Sequence, residues 1–334
     1  MTKTDRILLA HGSGGTMMRE LIEEVFVETF SDIQLEDAAT LDIPAGKLAF
    51  STDTFVVHPL FFPGGDIGHL AVCGTVNDVA TAGASPLYLS VGFILEEGFP
   101  LEDLKTILTS MAQCAREAGV KIVTGDTKVV DRGAADGIFI NTTGVGLIRE
   151  GVQLSAENCR VGDKILLSGT LGDHGITIVS QREGIGFGTT LKTDAAPLNE
   201  LVKAVLDAAP ETRVFRDPTR GGLASALNEI ADASKVSMLV IEDEVPFDQQ
   251  VQGACEMLGY DVFQVANEGK MVAIVPADQA QVALDAMKGA PYGADAAIIG
   301  EVIEGPPGRV SLRNAFGATR IMDTLVGEQL PRIC

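Results

Sequence analysis

The sequence predicts a two-domain α+β protein, on three observations. Its 334 residues, 46% of them hydrophobic, can bury more than one core of ordinary size. Stretches of strand period and helix period alternate along the chain. The strand–helix–strand run at 87–124 has a counterpart at 270–302, which points to two related halves.

Residues 16–30 place Met18, Leu21, Ile22, Val25 and Phe26 on one stripe with glutamates opposite, the pattern of an amphipathic helix. Residues 47–52 read as a strand ending at Asp53. Residues 68–83 have helical period and are rich in Gly, Ala and Thr, so another element can approach them closely. A strand at 87–95, a helix at 100–118 opened by Pro100 and Glu102, and a strand at 120–124 follow. That last strand runs into Gly125-Asp126-Thr127-Lys128, and a strand at 137–148 closes the first half. The second half opens near Gly162 with a strand, KILLSGT, and a Gly-rich turn, LGDHG. Helices are expected at 198–209, 222–234, 247–258 and 278–288, and strands at 237–241, 270–275 and 296–302. Gly, Pro and Arg cluster at 304–309, and the final GEQLPRIC has no period and reads as a mobile tail.

Composition narrows the function. Lys and Arg number 25 against 46 Asp and Glu, a formal charge of −21. A polyanion needs a basic face, so nucleic acid is not an expected partner, and neither is an anionic membrane surface. No apolar run reaches the roughly 18–20 residues of a membrane span, and the start MTKTDRILLAHGSGG does not read as a signal peptide. The cysteines at 73, 114, 159, 255 and 334 are odd in number and form no CxxC pair. Neither a disulfide framework nor a thiolate zinc site is expected, and the chain reads as reduced and cytoplasmic.

Several segments carry chemistry. In His11-Gly12-Ser13-Gly14-Gly15-Thr16 the glycines before a helix either let backbone approach a phosphate or form an ordinary turn. Neither the GxxxxGK[ST] loop nor the GxGxxG fingerprint is present. Asp53, Asp66, Asn77-Asp78 and Asp126 fall at expected strand ends or on the small-residue helix. Each alone could be a cap or turn; together, with glycines beside three of them, they point to Mg²⁺ held among phosphates. Lys128 either neutralises phosphate oxygens or is a surface lysine. Asp217-Pro218-Thr219-Arg220-Gly221-Gly222 reads as a helix start, and Asn267-Glu268-Gly269-Lys270 as a turn before a strand. His11, His58, His69 and His174 are too scattered to suggest a zinc site. Cys334 is either an incidental exposed thiol or a swinging arm, with its α-carboxylate opposing thiolate formation and Arg332 favouring it.

The segments HGSGG, STDTFVVHPLFFPGGDIGHLAVCGTVNDVATAGASP, TGDTKVV, RDPTRGGLA, ANEGK and terminal PRIC occur in that order between residues 9 and 334. Together they closely resemble the HypE family of hydrogenase maturation proteins, within the ATP-dependent aminoimidazole ribonucleotide synthetase-like superfamily. The resemblance implies an N-terminal Gly-rich arm and helix (1–35) and an ATP-binding sheet domain that forms a homodimer (36–155). It further implies a ferredoxin-like C-terminal domain (156–305) and a C-terminal segment with the tail (306–334). It implies ATP and Mg²⁺, a carbamoyl group placed on Cys334 by HypF, its dehydration to a thiocyanate, and delivery of cyanide to a HypC–HypD complex for a [NiFe]-hydrogenase. Asp53, Asp78 and Asp126 are the implied metal ligands. Gly12, Ser13, Gly14, Gly15, Asn77, Gly125 and Lys128 join them around the nucleotide, the Gly-rich segment folding over the phosphates. Glu268 is the implied base, Lys128 an electrostatic or relay group, and Arg149 a candidate grip on the tail.

Two rivals stand beside this reading. One is a kinase or ligase of the same superfamily acting on a free small molecule, against which a tethered terminal thiol argues. The other is a non-catalytic carrier of the cyano group, which would turn over no ATP.

Overall fold

The computed structural model describes residues 4–33, 38–184, 191–324 and 332–334. The amphipathic stripe near the N-terminus forms α1 (Thr16–Leu21), which widens into a π-helical turn over Ile22–Val27 and buries Leu21, Val25 and Phe26. There follow β1 (Leu48–Phe55), the small hairpin β2 (Phe61–Phe62) and β3 (Gly65–Asp66), α2 (Ile67–Thr81), β4 (Ala84–Glu96), α3 (Leu101–Ala118), β5 (Lys121–Val130) and β6 (Ile138–Ile148). β1, β6, β4 and β5 make a sheet in that order, antiparallel except for β4 and β5, which α3 connects in parallel.

Two expected strands run further than their sequence pattern suggests. β1 continues through Asp53 to Phe55, and β5 through Asp126 and Lys128 to Val130. The β-branched Thr52, Thr54, Thr127, Val129 and Val130 favour the extended ladder. Asp53, Asp126 and Lys128 therefore lie inside strands, where register assigns each to a face. Asp53 is opposite Thr142, which shares a face with Val91 and Gly125. Thr54, Asn141, Gly92 and Asp126 line up on the other face, as do Ile94 and Lys128. The face of Val91, Phe93, Leu95, Ile138 and Ile140 is buried beneath α2 and α3. Among the described residues no helix buries the opposite face, and Phe50 there is 72% exposed.

α2 is buried nearly all round, which accounts for its small residues. A Cβ on Gly68 would stand 2.5 Å from the Ile107 carbonyl oxygen, so α3 reaches contact with α2 only because that position has no side chain. This packing also brings Cys73 of α2 beside Cys114 of α3, with His69 one turn back. The histidines are scattered in sequence as expected, yet one of them meets two cysteines through tertiary contact.

The C-terminal half contains β7 (Lys164–Leu167), α4 (Asp173–Glu183), α5 (Asn199–Ala208), β8 (Val214–Arg216), α6 (Gly222–Ser234), β9 (Ser237–Ile241), α7 (Gln249–Leu258), β10 (Val272–Val275), α8 (Ala280–Gly289), β11 (Ala297–Ile303), β12 (Arg309–Arg313) and β13 (Thr319–Ile321). Seven strands run in the order β13-β12-β9-β11-β7-β10-β8. Within them β11, β7, β10 and β8 are antiparallel neighbours, with α5 leading from β7 to β8 and α8 from β10 to β11, the ferredoxin-like plan. β9, β12 and β13 extend that sheet. Alternation sends Ile165, Leu167, Val272 and Ile274 toward α6, and Leu166, Ala273 and Val275 toward α5 and α8.

The two strand–helix–strand runs that suggested related halves connect differently. β4 and β5 are direct parallel neighbours, whereas β10 and β11 straddle β7. The Gly-rich turn LGDHG opens a helix, α4, that periodicity did not reveal, and β8, β12 and β13 were not foreseen either.

Candidate functional site

Of the expected tail, residues 325–331 lie outside the described residues, and residues 332–334 are docked between the two halves. Ile333 is 3% exposed and joins the N-terminal core. The backbone is held along its length. Val56 N–H donates to the Cys334 carbonyl at 3.1 Å, and His58 N–H to the Arg332 carbonyl at 3.4 Å. His174, at the start of α4, donates from Nε2 to the Ile333 carbonyl at 2.8 Å while Nδ1 meets the Thr193 hydroxyl at 2.7 Å. Burial holds the His174 pKa below its ordinary value, which favours the form whose Nδ1 accepts from the Thr193 hydroxyl. Arg182 donates to the carbonyls of Arg332, at 2.8 Å, and His58, at 2.7 Å. Arg332 turns away to Asp136 at 2.7 Å, so the guanidinium beside the sulfur is not its own. That place belongs to Arg220, whose Nη2 is 3.6 Å from Cys334 Sγ.

Around this thiol the chain gathers one buried acid and several half-buried ones. Glu268, which precedes β10, is 3% exposed and its Oε1 has no hydrogen-bond partner. Burial, and then the charges of Asp194, Asp217, Asp53 and Asp78, push its carboxyl well above the ordinary range. Its backbone N–H donates to Asp194 at 3.0 Å, and Lys270 stands 3.5 Å from both Asp194 and Asp173, fixing that support. Burial likewise raises Asp53 and Asp78, and takes Asp217 up to about 7 with help from Asp78. Burial and the Glu268 charge raise the Cys334 thiol to about 11, against the pull of Arg220. The resting tail therefore presents a protonated sulfur.

Next to the acids is a groove of about 430 Å³ lined by Ser51, Asp78, Arg216, Asp217, Arg220 and Gly222. α6 begins there after Gly221 in the left-handed region (φ 81°), with no side chain capping its N-terminus. A helix start with its positive dipole end free, flanked by two arginines, suits phosphate. Beyond burial, the charge of Asp78 raises both Asp53 and Asp217, a repulsion that a divalent cation would relieve. The residues present therefore fit a nucleotide phosphate chain with its metal.

The structure does not bring all the expected site residues to this groove. Asp126 and Lys128 are on the open face of the sheet and pair with each other at 2.6 Å. β5 is three strands from β1, about 14 Å across, so Asp126 cannot share a cation with Asp53 and Asp78 within one chain. The Gly12–Gly15 segment lies along β5: a Cβ on Gly12 would stand 2.9 Å from Val129. Gly125 is a packing glycine, 2.5 Å from the Val91 carbonyl oxygen at its would-be Cβ. Asn77 is 1% exposed and fully engaged, donating to the carbonyls of Ala196 and Glu268 and accepting from Leu198 N–H. It clasps the two halves and has nothing left for a nucleotide. Arg149 pairs with Asp207 away from the tail, which Arg182 and Arg220 hold instead. Asp66 caps α2 through Gly68 and His69 N–H, the bland alternative for it.

Sequence reasoning missed Asp217, Arg220, Arg182, His174, Asp194 and Lys270 as site residues. The segment Asp217–Gly222 carried a readable cue, an acid and an arginine before two glycines at a helix start. Lys270 and His174 stood inside quoted motifs, ANEGK and LGDHG, that gave them no role, and Arg182 and Asp194 carried no cue, because long-range packing alone gathers them.

With this geometry in hand, comparison with known proteins is informative. Residues 35–148 match the family described as AIR synthase related protein, N-terminal domain, and residues 160–313 match its C-terminal domain. The chain is 54% identical to the carbamoyl dehydratase HypE of Azotobacter vinelandii over 329 residues, covering 98% of this chain and 96% of that one. A crystal structure of the hydrogenase maturation protein HypE in complex with ATP superposes with a TM-score of 0.94 at 48% identity, covering 98% of this chain and 99% of the other. A crystal structure of a HypE–HypF complex gives 0.82 at 49% identity, covering 91% and 99%.

Proposed function

The chain belongs to the HypE family of carbamoyl dehydratases, ATP-using enzymes of hydrogenase maturation, and we propose that the group it dehydrates is carried on its own Cys334. The observation that supports this reading is the docked tail: Sγ of the last residue rests beside Arg220 and in the field of Glu268, next to a groove suited to phosphates. HypF supplies the carbamoyl group, in keeping with the HypE–HypF complex among its relatives. The cyano group then passes to a HypC–HypD complex. The reaction takes place in the cytoplasm, and none of the described helices is long and apolar enough to cross a membrane.

The chemistry removes water from S–C(=O)–NH₂ to leave S–C≡N. Bound ATP supplies a phosphoryl group that makes the amide oxygen a leaving group, and bound Mg²⁺ supplies charge neutralisation. Asp53 and Asp78, joined by Asp217, would hold the metal, while Arg216, Arg220 and the start of α6 would hold the phosphates. One N–H proton passes to solvent as the amide oxygen takes the phosphoryl group and a carbon–nitrogen double bond forms; the second leaves as phosphate departs and the triple bond forms. Glu268, ionised once a cation among the aspartates offsets the local negative field, takes that second proton. Asp194 and Lys270 keep Glu268 in place, and Asn77 holds its carbonyl.

Asp126, Lys128 and the Gly12–Gly15 segment serve the nucleotide from a second copy. The uncovered sheet face is the homodimer surface, and its pairing carries these residues to the interface. The protein sediments as a homodimer on this reading, and disrupting the face with Phe50→Asp lowers ATP turnover along with dimer content.

The test is mass spectrometry of the C-terminal peptide after incubation with the carbamoylating partner, with and without ATP. A loss of one water, about 18 Da by stoichiometry, from the carbamoylated Cys334 peptide only with ATP is expected, and none in Cys334→Ala. Label on any of the other four cysteines overturns the assignment.

A further inference from the structure

Between α2 and α3, outside the groove, three soft donors converge. Cys73 Sγ lies 3.3 Å from Cys114 Sγ and 3.6 Å from His69 Nε2, and the three donor atoms lie within 4.8 Å of one another. His69 and Cys73 are one turn apart on α2, so both project toward the same strip of α3. Tetrahedral bond lengths to zinc give ligand-to-ligand edges of roughly 3.5–3.8 Å; the Cys73–His69 separation already matches, and the two sulfurs would have to part by about half an ångström.

Both cysteines are almost fully buried, at 0% and 1% exposure, so the cluster is shielded from exchange with solvent thiols. Nothing in the dehydration derived above uses any of the three residues.

We infer that His69, Cys73 and Cys114 form a binding site for one thiophilic divalent cation of the Zn²⁺ class. The three ligands leave a fourth tetrahedral position to water. The ion ties α2 to α3 at Cys73, one turn before Asn77 and Asp78, and so fixes the helix that presents both residues to the domain junction. Loading requires the Cys73 and Cys114 thiols to give up their protons to solvent as two metal–sulfur bonds form, with no change of oxidation state.

The experiment uses the full chain carrying Cys334→Ala, which removes the tail thiol. Chelator-stripped protein is titrated with Co²⁺, and protein from zinc-supplemented cells is analysed for bound metal. The expected result is one tightly held ion per chain, a thiolate-to-cobalt charge-transfer band of two-sulfur intensity, and a raised melting temperature with Zn²⁺. Co²⁺ at the carboxylate groove gives no such band. Cys114→Ser and His69→Asn should lower the band, while circular dichroism reports whether they fold. Absence of both the band and bound zinc in the parent overturns the proposal irrespective of the variants. Oxidation of Cys73 and Cys114 to a disulfide in place of metal uptake, or an unchanged band in folded Cys114→Ser, overturns it as well.

Discussion

The two faces of the N-terminal sheet carry the same kinds of residue in opposite circumstances. On the covered face Asp53 lies against α2, shares its surroundings with Asp78 and Asp217, and is raised by burial. On the open face Asp126 and Lys128 form a pair whose side chains are 66% and 63% exposed, and the lysine holds the carboxyl below its ordinary value. Desolvation and the company of other acids, not residue identity, make one aspartate a candidate ligand and leave the other a solvated partner of lysine.

The strongest way to break this contrast is at Glu268, the proposed base. Glu268→Gln keeps the shape but cannot take a proton, and thiocyanate formation, followed by mass spectrometry, should fall about 10²–10⁴-fold. An unchanged rate would move the base elsewhere. Asp78→Asn should lower Mg²⁺-dependent ATP hydrolysis on the order of 100-fold with the melting temperature preserved, because its partner Ser51 can still donate to the amide oxygen.

A milder effect comes from pH. Asp217 has its folded pKa raised to about 7, so the metal-free protein gains stability from the bound proton below the ordinary carboxylate range and loses it as pH rises toward 7. Metal must displace that proton. Mg²⁺ affinity, by isothermal titration calorimetry, should therefore rise about tenfold from pH 6 to pH 8; a flat profile would exclude Asp217 from the site.

Tail docking is expected to be weaker still. His174→Phe removes one hydrogen bond to Ile333, about 1 kcal/mol, and should speed alkylation of Cys334 by about fivefold. The smallest effect belongs to the open face. Lys128→Ala should change the stability of the folded chain in urea by no more than about 1 kcal/mol, whatever it does to ATP turnover.

Much of the fold could be read in advance. α3 announces itself through Pro100, Glu102 and its apolar stripe, and Gly119 ends it in the left-handed region at φ 71°. α6 and β9 fall where their periods place them. α4 did not, because Asp173–Glu183 is buried along much of its length and so lacks an amphipathic contrast. β8 and β13, three residues each, are too short to show a period. Within the site, Glu268 and Cys334 were legible from motif resemblance, and Asp53 and Asp78 from acids beside small residues. Arg149 was misplaced because a strand-end arginine says nothing about which side of the molecule it serves.

The sequence by itself determined the two α+β halves, the acidic groups and a terminal thiol, since composition, period and short motifs are local properties. Tertiary structure decided the rest. Register put Asp53 and Asp126 on opposite faces of one sheet, because successive strand residues alternate and the choice depends on which face a helix covers. Packing of α2 on α3, allowed by Gly68, set His69 and Cys73 against Cys114, 41 residues on from Cys73. The docked tail brought Cys334 to Arg220 across 114 residues of sequence, and contacts so far apart in the chain leave no mark on its local pattern.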